Sequence, residues 1–163
     1  MSTDEHDRTV AVGSDHAGYR LKERLKDELR RMGCEVSDIG TDSEESCDYP
    51  DFALAVAEAV SEGEASKGVL VCGTGAGMAM VANKVPGIRA AVCNEPYTAE
   101  YCRMHNDANV LTIGSRVLDP EAAVRILRIF METGYEGERP DGARHVTRLE
   151  KIRDVERMYM KER

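Results

Sequence analysis

The chain has 163 residues, a net charge of -8 and few aromatic residues, with no tryptophan. That length buries a sizeable core, and the acidity argues against nucleic acid or an anionic membrane as partner. No apolar run nears the ~20 residues of a membrane-spanning helix, and Met1–Arg8 is polar, without the core of a signal peptide. A cytoplasmic protein is therefore expected, with a flexible tail over residues 1–8 and one domain over residues 9–160. Five cysteines (Cys34, Cys47, Cys72, Cys93 and Cys102) are an odd number without C-x-x-C spacing. They argue against a disulfide framework or a zinc site and for a reducing compartment.

In chain order, Thr9–Gly13 reads as a first strand and Ser14–Gly18 as a turn. Tyr19–Met32 places Leu21, Leu25, Leu29 and Met32 on one face, predicting an amphipathic helix closed by Gly33. Cys34–Ile39 is a second strand, and the acidic, turn-rich Gly40–Asp48 is expected to be the most mobile loop. Pro50 opens a helix with Phe52, Val56 and Val60 on one face. Val69–Cys72 is the third strand and Ala76–Asn83 its helix. Ile88–Cys93 is the fourth strand, and Asn94-Glu95-Pro96 leads into a helix through about Met104. Asn109–Ile113 is the fifth strand, closed by Gly114-Ser115-Arg116, and Pro120–Thr133 is a helix. Gly134–Ala143 is a loop, and a charged C-terminal helix spans 144–160. Strands alternating with helices predict an α/β fold, a three-layer αβα sandwich around a five-stranded parallel sheet. The expected strand order is 2-1-3-4-5.

The stretch Val69–Met78 carries the sharpest chemical signal. An apolar strand ends in Cys72, then Gly73, Gly75 and Gly77 alternate with Thr74 and Ala76 before the next helix. Glycine lets backbone amides approach a ligand, and a helix start favours negative charge. Taken alone, Cys72 also reads as a buried strand-end residue, and the loop as a plain connection. The spelling is neither a Walker A loop nor a dinucleotide fingerprint, and no arginine closes it as a cysteine phosphatase would require. Ligands of open parallel sheets bind beyond the carboxyl ends of the strands, so Asp15, His16 and Cys72 are expected in one crevice, with Asn94 and Arg116 on the same edge. His105 lies about nine residues into its helix. At ~1.5 Å per residue it is carried roughly 14 Å toward the opposite edge.

The ordered set Gly13-Ser14-Asp15-His16-Ala17-Gly18, Asp48-Tyr49-Pro50, Cys72-Gly73-Thr74-Gly75-Ala76-Gly77, Ala82-Asn83-Lys84, His105-Asn106-Asp107 and Gly114-Ser115-Arg116 resembles type B ribose-5-phosphate isomerases. That family also includes galactose-6-phosphate isomerase subunits. The resemblance runs from about Thr9 to Met158. It implies a Rossmann-like domain, a homodimer or dimer of dimers with shared active sites, and no metal or organic cofactor. It also implies an aldose–ketose isomerase that moves a proton between C1 and C2 of a sugar phosphate through an enediolate.

Such a site needs a base, an oxyanion cradle, a phosphate clamp and an acid that opens the sugar ring. The resemblance makes Cys72 the base, Thr74 its orienting neighbour, and the turn Gly73, Gly75, Ala76 and Gly77 the enediolate cradle. Asp15 and His16 match the substrate-binding pair, His105 the ring-opening acid and Asn106 a hydroxyl or enediolate donor. Arg144 and Arg148, four apart and so on one helix face, match the phosphate clamp, with Arg116 a third anion contact. Arg139 is a rival to Arg144, because Glu138–Ala143 is longer than the family's usual lead-in. Without the resemblance, Asp-His after a strand reads as a cap, His105 as a helix-end residue, and Arg144 and Arg148 as a solvated face.

Ribose 5-phosphate and ribulose 5-phosphate are the expected substrate pair. The alternatives are galactose 6-phosphate, allose 6-phosphate or a tetrose phosphate, and more distantly a non-catalytic phosphate- or nucleotide-binding module.

Overall fold

In the computed structural model, which describes residues 8–159, five parallel strands form the middle layer. They are β1 (Thr9–Ser14), β2 (Glu35–Gly40), β3 (Lys67–Cys72), β4 (Ala90–Val92) and β5 (Val110–Gly114). The helices between them are α1 (Tyr19–Arg31), α2 (Tyr49–Ser61), α3 (Ala76–Ala82), α4 (Pro96–Asn106) and α5 (Pro120–Glu132). A short 3-10 turn, Glu136–Glu138, then leads into α6 (Ala143–Tyr159). The tail expected over residues 1–8 lies, but for Arg8, outside the described residues, as does Met160 of the expected last helix.

Side chains alternate across the pleat and divide the core in two. Val10, Val12, Val69, Val71, Leu111 and Ile113 meet Leu21, Leu25 and Leu29 of α1, Ala99 and Cys102 of α4, and Leu127 and Phe130 of α5. Ala11, Leu70, Cys72 and Val110 face Ala53, Val56 and Ala57 of α2 and Met78 and Ala82 of α3. The expected αβα sandwich is therefore present.

The helix starts follow from local sequence. Glu95 accepts from the amides of Tyr97 and Thr98, Asp119 accepts from that of Ala122, and a proline opens each of these helices. On α1, Lys22 is fully buried yet keeps its charge paired, 2.8 Å from Asp38 of β2. Lys26 reaches the same carboxylate.

The expected strand order 2-1-3-4-5 is corrected to 2-1-3-5-4. Burial gives the reason. All five residues of β5 are buried, whereas β4 is three residues of which Ala90 and Ala91 are partly exposed and Val92 is exposed. The longer, wholly buried strand takes the interior and the short one the edge. β1 and β3 are neighbours, as expected, with Val10 to Ser14 in register with Lys67 to Val71.

Candidate active site

At the carboxyl edge of the sheet, the turn after β3 is fixed almost entirely by backbone. Gly75 takes a left-handed conformation (φ 82°), and its amide donates to Cys72 Sγ at 3.2 Å. Cys72 is 5% exposed. Its carbonyl accepts from the Ser115 amide at 2.8 Å, and the Gly73 carbonyl accepts from the Arg116 amide at 3.0 Å. The Thr74 hydroxyl accepts from the Ala76 amide, so it is the Gly75 amide rather than Thr74 that reaches the sulfur.

Close approach explains several of the glycines. A side chain on Gly77 would collide with the Tyr49 ring, and one on Gly114 with the Thr74 backbone. A side chain on Gly18 would collide with the Val71 carbonyl. The Arg116 side chain runs beside Gly73, where a Cβ would stand 3.4 Å from Arg116 Cδ. The corrected strand order matters here. Cys72 pairs directly with Gly114, so Arg116 is one strand, about 4.8 Å, nearer the cysteine than the expected order allowed.

Asn94 is the strap of this turn. Its Nδ2 donates to the Thr74 carbonyl at 3.1 Å, while its Oδ1 accepts from the Gly114 amide at 3.0 Å. Sequence placed Asn94 on this edge without assigning that role, because nothing in its spacing marks a bidentate partner.

Asp15 is buried beside β3. Its amide donates to the Val71 carbonyl, and its carboxylate accepts from the Gly18 amide at 3.0 Å. His16 Nδ1 accepts from the Cys47 amide at 3.3 Å, and Arg20 pairs with Glu44 at 2.7 Å. The acidic loop over residues 41–48 is thereby docked onto the β1–α1 turn, so Asp15, His16, Cys72 and Arg116 share one edge as expected.

The remaining predicted residues gather elsewhere. Arg89, just before β4, donates through Nε to the carbonyls of Asn106 and Asp107. The end of α4 is thus pinned to the N-terminal edge of the sheet. Ala90 and Cys72 pair with Val110 and Gly114 of β5, four residues and roughly 13 Å apart. His105 and Asn106 therefore stand far from Cys72 of the same chain.

Around His105 a second cluster forms. Its ring stacks on that of His145 with centroids 4.3 Å apart, and meets Tyr101 edge-on at 5.0 Å. Glu136 Oε2 lies 3.6 Å from His105 Nε2 and 3.9 Å from His145 Nε2. His145 is 1% exposed, and neither ring nitrogen has a hydrogen-bond partner among the described residues. Burial holds its pKa below the ordinary histidine value, reinforced by the charges of Arg144, His105 and Arg148, with Glu136 opposing.

Arg144 and Arg148 are exposed one turn apart on α6 beside this cluster, whereas Arg139 is engaged by Glu136 at 2.9 Å. Glu136 and the isolation of His145 were not foreseen. Glu136 sits in a nonperiodic loop that gives no sequence signal, and nothing in the spacing of His145 shows that it is buried against His105.

An open groove of about 710 Å³ flanks the same edge, lined by Ile88, Ala90, Cys102, Ile152, Val155 and Tyr159 among others. Along the outer part of α6, Val155, Met158 and Tyr159 are 55%, 74% and 85% exposed. No helix of the described residues is long and apolar enough to cross a membrane.

Comparison with known proteins gives one family. The profile of the Ribose/Galactose Isomerase family matches residues 10–152. Ribose-5-phosphate isomerase B of Escherichia coli (strain K12) is 46% identical over 149 residues, which cover 91% of this chain and 97% of that protein. D-erythrulose-4-phosphate isomerase of Pectobacterium atrosepticum is 42% identical over 130 residues, 79% of this chain and 86% of the relative. The solved ribose-5-phosphate isomerase B of Clostridium thermocellum superposes with a TM-score of 0.89 at 47% identity, covering 93% of this chain and 99% of that one.

Proposed function

The chain belongs to the ribose/galactose isomerase family and is an aldose–ketose isomerase, and within that family we propose that it interconverts ribose 5-phosphate and ribulose 5-phosphate with Cys72 as the base. The observation that carries the assignment of the base is the sulfur itself. Cys72 Sγ ends a buried strand, accepts a hydrogen bond from the Gly75 amide and faces a turn built of backbone donors. That hydrogen bond fixes the position of the sulfur beside the turn, and the thiolate is the form of a cysteine that removes a proton.

The thiolate takes the proton from C2 of the open-chain aldose. Negative charge moves onto the C1 oxygen, and amides of the Gly73–Gly77 turn receive it, apart from those of Gly75 and Ala76, which are engaged by Cys72 Sγ and the Thr74 hydroxyl. The hydroxyl proton passes from O2 to O1, and the proton held by the sulfur is delivered to C1, which gives the ketose with its carbonyl at C2 and restores the thiolate. Asp15, His16 and Thr74 bind the sugar hydroxyls beside the base. Ring opening before proton transfer falls to His105, with Asn106 as a donor next to it. Arg144 and Arg148 clamp the phosphate, and Arg116 adds a third cation.

Two halves on opposite edges cannot serve one substrate within one chain. A homodimer with shared sites, alone or paired into a dimer of dimers, answers this: Cys72, Asp15, His16 and Arg116 come from one subunit and His105, Asn106, Arg144 and Arg148 from the other. The exposed apolar side of α6 and the groove beside β4 support a second copy as their occupant. Five free cysteines suit a reducing cytoplasm.

The experiment is a comparison of kcat/KM for ribose 5-phosphate, allose 6-phosphate, galactose 6-phosphate and a tetrose phosphate. Ribose 5-phosphate is expected to be highest. A higher value for the tetrose, the alternative favoured by the Pectobacterium relative, overturns the substrate while keeping the chemistry. Activity on none returns the chain to a binding role.

A further inference from the structure

The cluster at the N-terminal edge holds more polar capacity than its own contacts use. His105 closes α4, Glu136 sits in the 3-10 turn and His145 lies in the first turn of α6. One donor atom from each of the three lies within 4.8 Å of the other two. Buried polar groups are normally hydrogen-bonded, so a buried imidazole with both nitrogens unpartnered among the described residues marks a place built for something else.

We propose that His105, Glu136 and His145 form a site for a divalent cation of the zinc class, with an open fourth position. Two imidazoles and one carboxylate are a donor set that suits zinc and its first-row neighbours rather than magnesium or calcium. Tetrahedral zinc with bonds of ~2.0 Å sets its donors about 3.3 Å apart. The two nitrogen-to-carboxylate spacings, 3.6 and 3.9 Å, need to close by only a few tenths of an ångström.

The two imidazole planes lie 15° from parallel, so their in-plane lone pairs converge only when one ring turns. His105 is the ring that can turn, because a third of its side chain is exposed while His145 is enclosed. Glu136 keeps Oε1 on Arg139, leaving Oε2 for the metal. Arg144 and Arg148 oppose a cation here, which makes the site one for a metal that arrives and leaves rather than a permanent structural ion.

The consequence for catalysis rests on the reading of His105 as the ring-opening acid. A metal on its nitrogen removes the proton that it would donate, so occupancy inhibits the isomerase reversibly.

Cobalt(II) titrated into the intact protein tests the site directly. Expected is one tight equivalent with visible ligand-field bands of a four- or five-coordinate ion and no thiolate charge-transfer band, which separates it from the Cys93–Cys102 pair whose sulfurs lie 3.8 Å apart. Glu136→Gln and His145→Gln should each weaken binding at least tenfold, as should competition by zinc. Two variants on different elements guard against a fold defect in either. Absence of a bound equivalent, a thiolate band, or affinity unchanged in both variants overturns the proposal. Cobalt that binds with this signature, is displaced by zinc and leaves turnover untouched keeps the metal site and removes His105 from the chemistry.

Discussion

The two edges of the sheet are built on opposite plans. At the carboxyl edge the turn after β3 consists of glycines, amides and one sulfur, strapped by Asn94 and braced by the amides of Ser115 and Arg116. At the N-terminal edge the functional groups are long side chains on three elements, two of them exposed arginines and one a buried histidine whose ring nitrogens have no hydrogen-bond partner among the described residues. The first region is finished within one chain. The second has its groups gathered but its partners missing, as expected of a surface completed by another molecule.

That contrast can be broken by substitution. Cys72→Ser should lower kcat by roughly 10²–10⁴ while leaving the fold intact, and a wild-type rate would take the cysteine out of the reaction. Mixing Cys72→Ser chains with His105→Ala chains should restore activity well above either parent, because each mixed dimer rebuilds one complete site. If verified mixed dimers stay as inactive as their parents, the shared-site arrangement is wrong. Arg148→Ala should raise KM by roughly tenfold to a hundredfold, the equivalent of one charged hydrogen bond, with a smaller change in kcat. Unchanged KM would move the phosphate elsewhere.

The smaller effects probe how each edge is held. Asn94→Ala removes both straps of the turn and should cost about 1–3 kcal/mol of stability, read as a lower Tm, together with a fall in kcat at unchanged phosphate affinity. An unchanged Tm would show that the turn holds without it. At the other edge, the lowered pKa of His145 means that the unfolded chain binds the extra proton first. Its contribution to stability is therefore complete above the ordinary histidine value of about 6.5 and is lost as pH falls below it. Tm measured from pH 7 to pH 5 should fall less steeply in His145→Gln than in the parent. Identical slopes would show that His145 does not titrate on unfolding.

Much of this was readable in the sequence where periodicity or glycine spelling carried it. The stripe Leu21, Leu25, Leu29 located α1, and Cys72 with its alternating glycines located the turn. The order of β4 and β5 was not readable. Both segments are short and apolar, and only their burial against the rest of the sheet decides which lies inside. The separation of His105 from Cys72 followed from counting helix rise. The proximity of His105 to His145 did not, because it depends on where α6 folds back after a nonperiodic loop.

The strand order bears on how copies of this chain can associate under stress. A parallel sheet with exposed edges invites foreign strands to add on and seed aggregates. Here one outer strand, β4, is only three residues long, and the other, β2, carries exposed Glu35, Ser37 and Asp38. Neither is a good template, so self-association is steered away from strand addition and toward side-chain packing on helices, where geometry limits the number of copies.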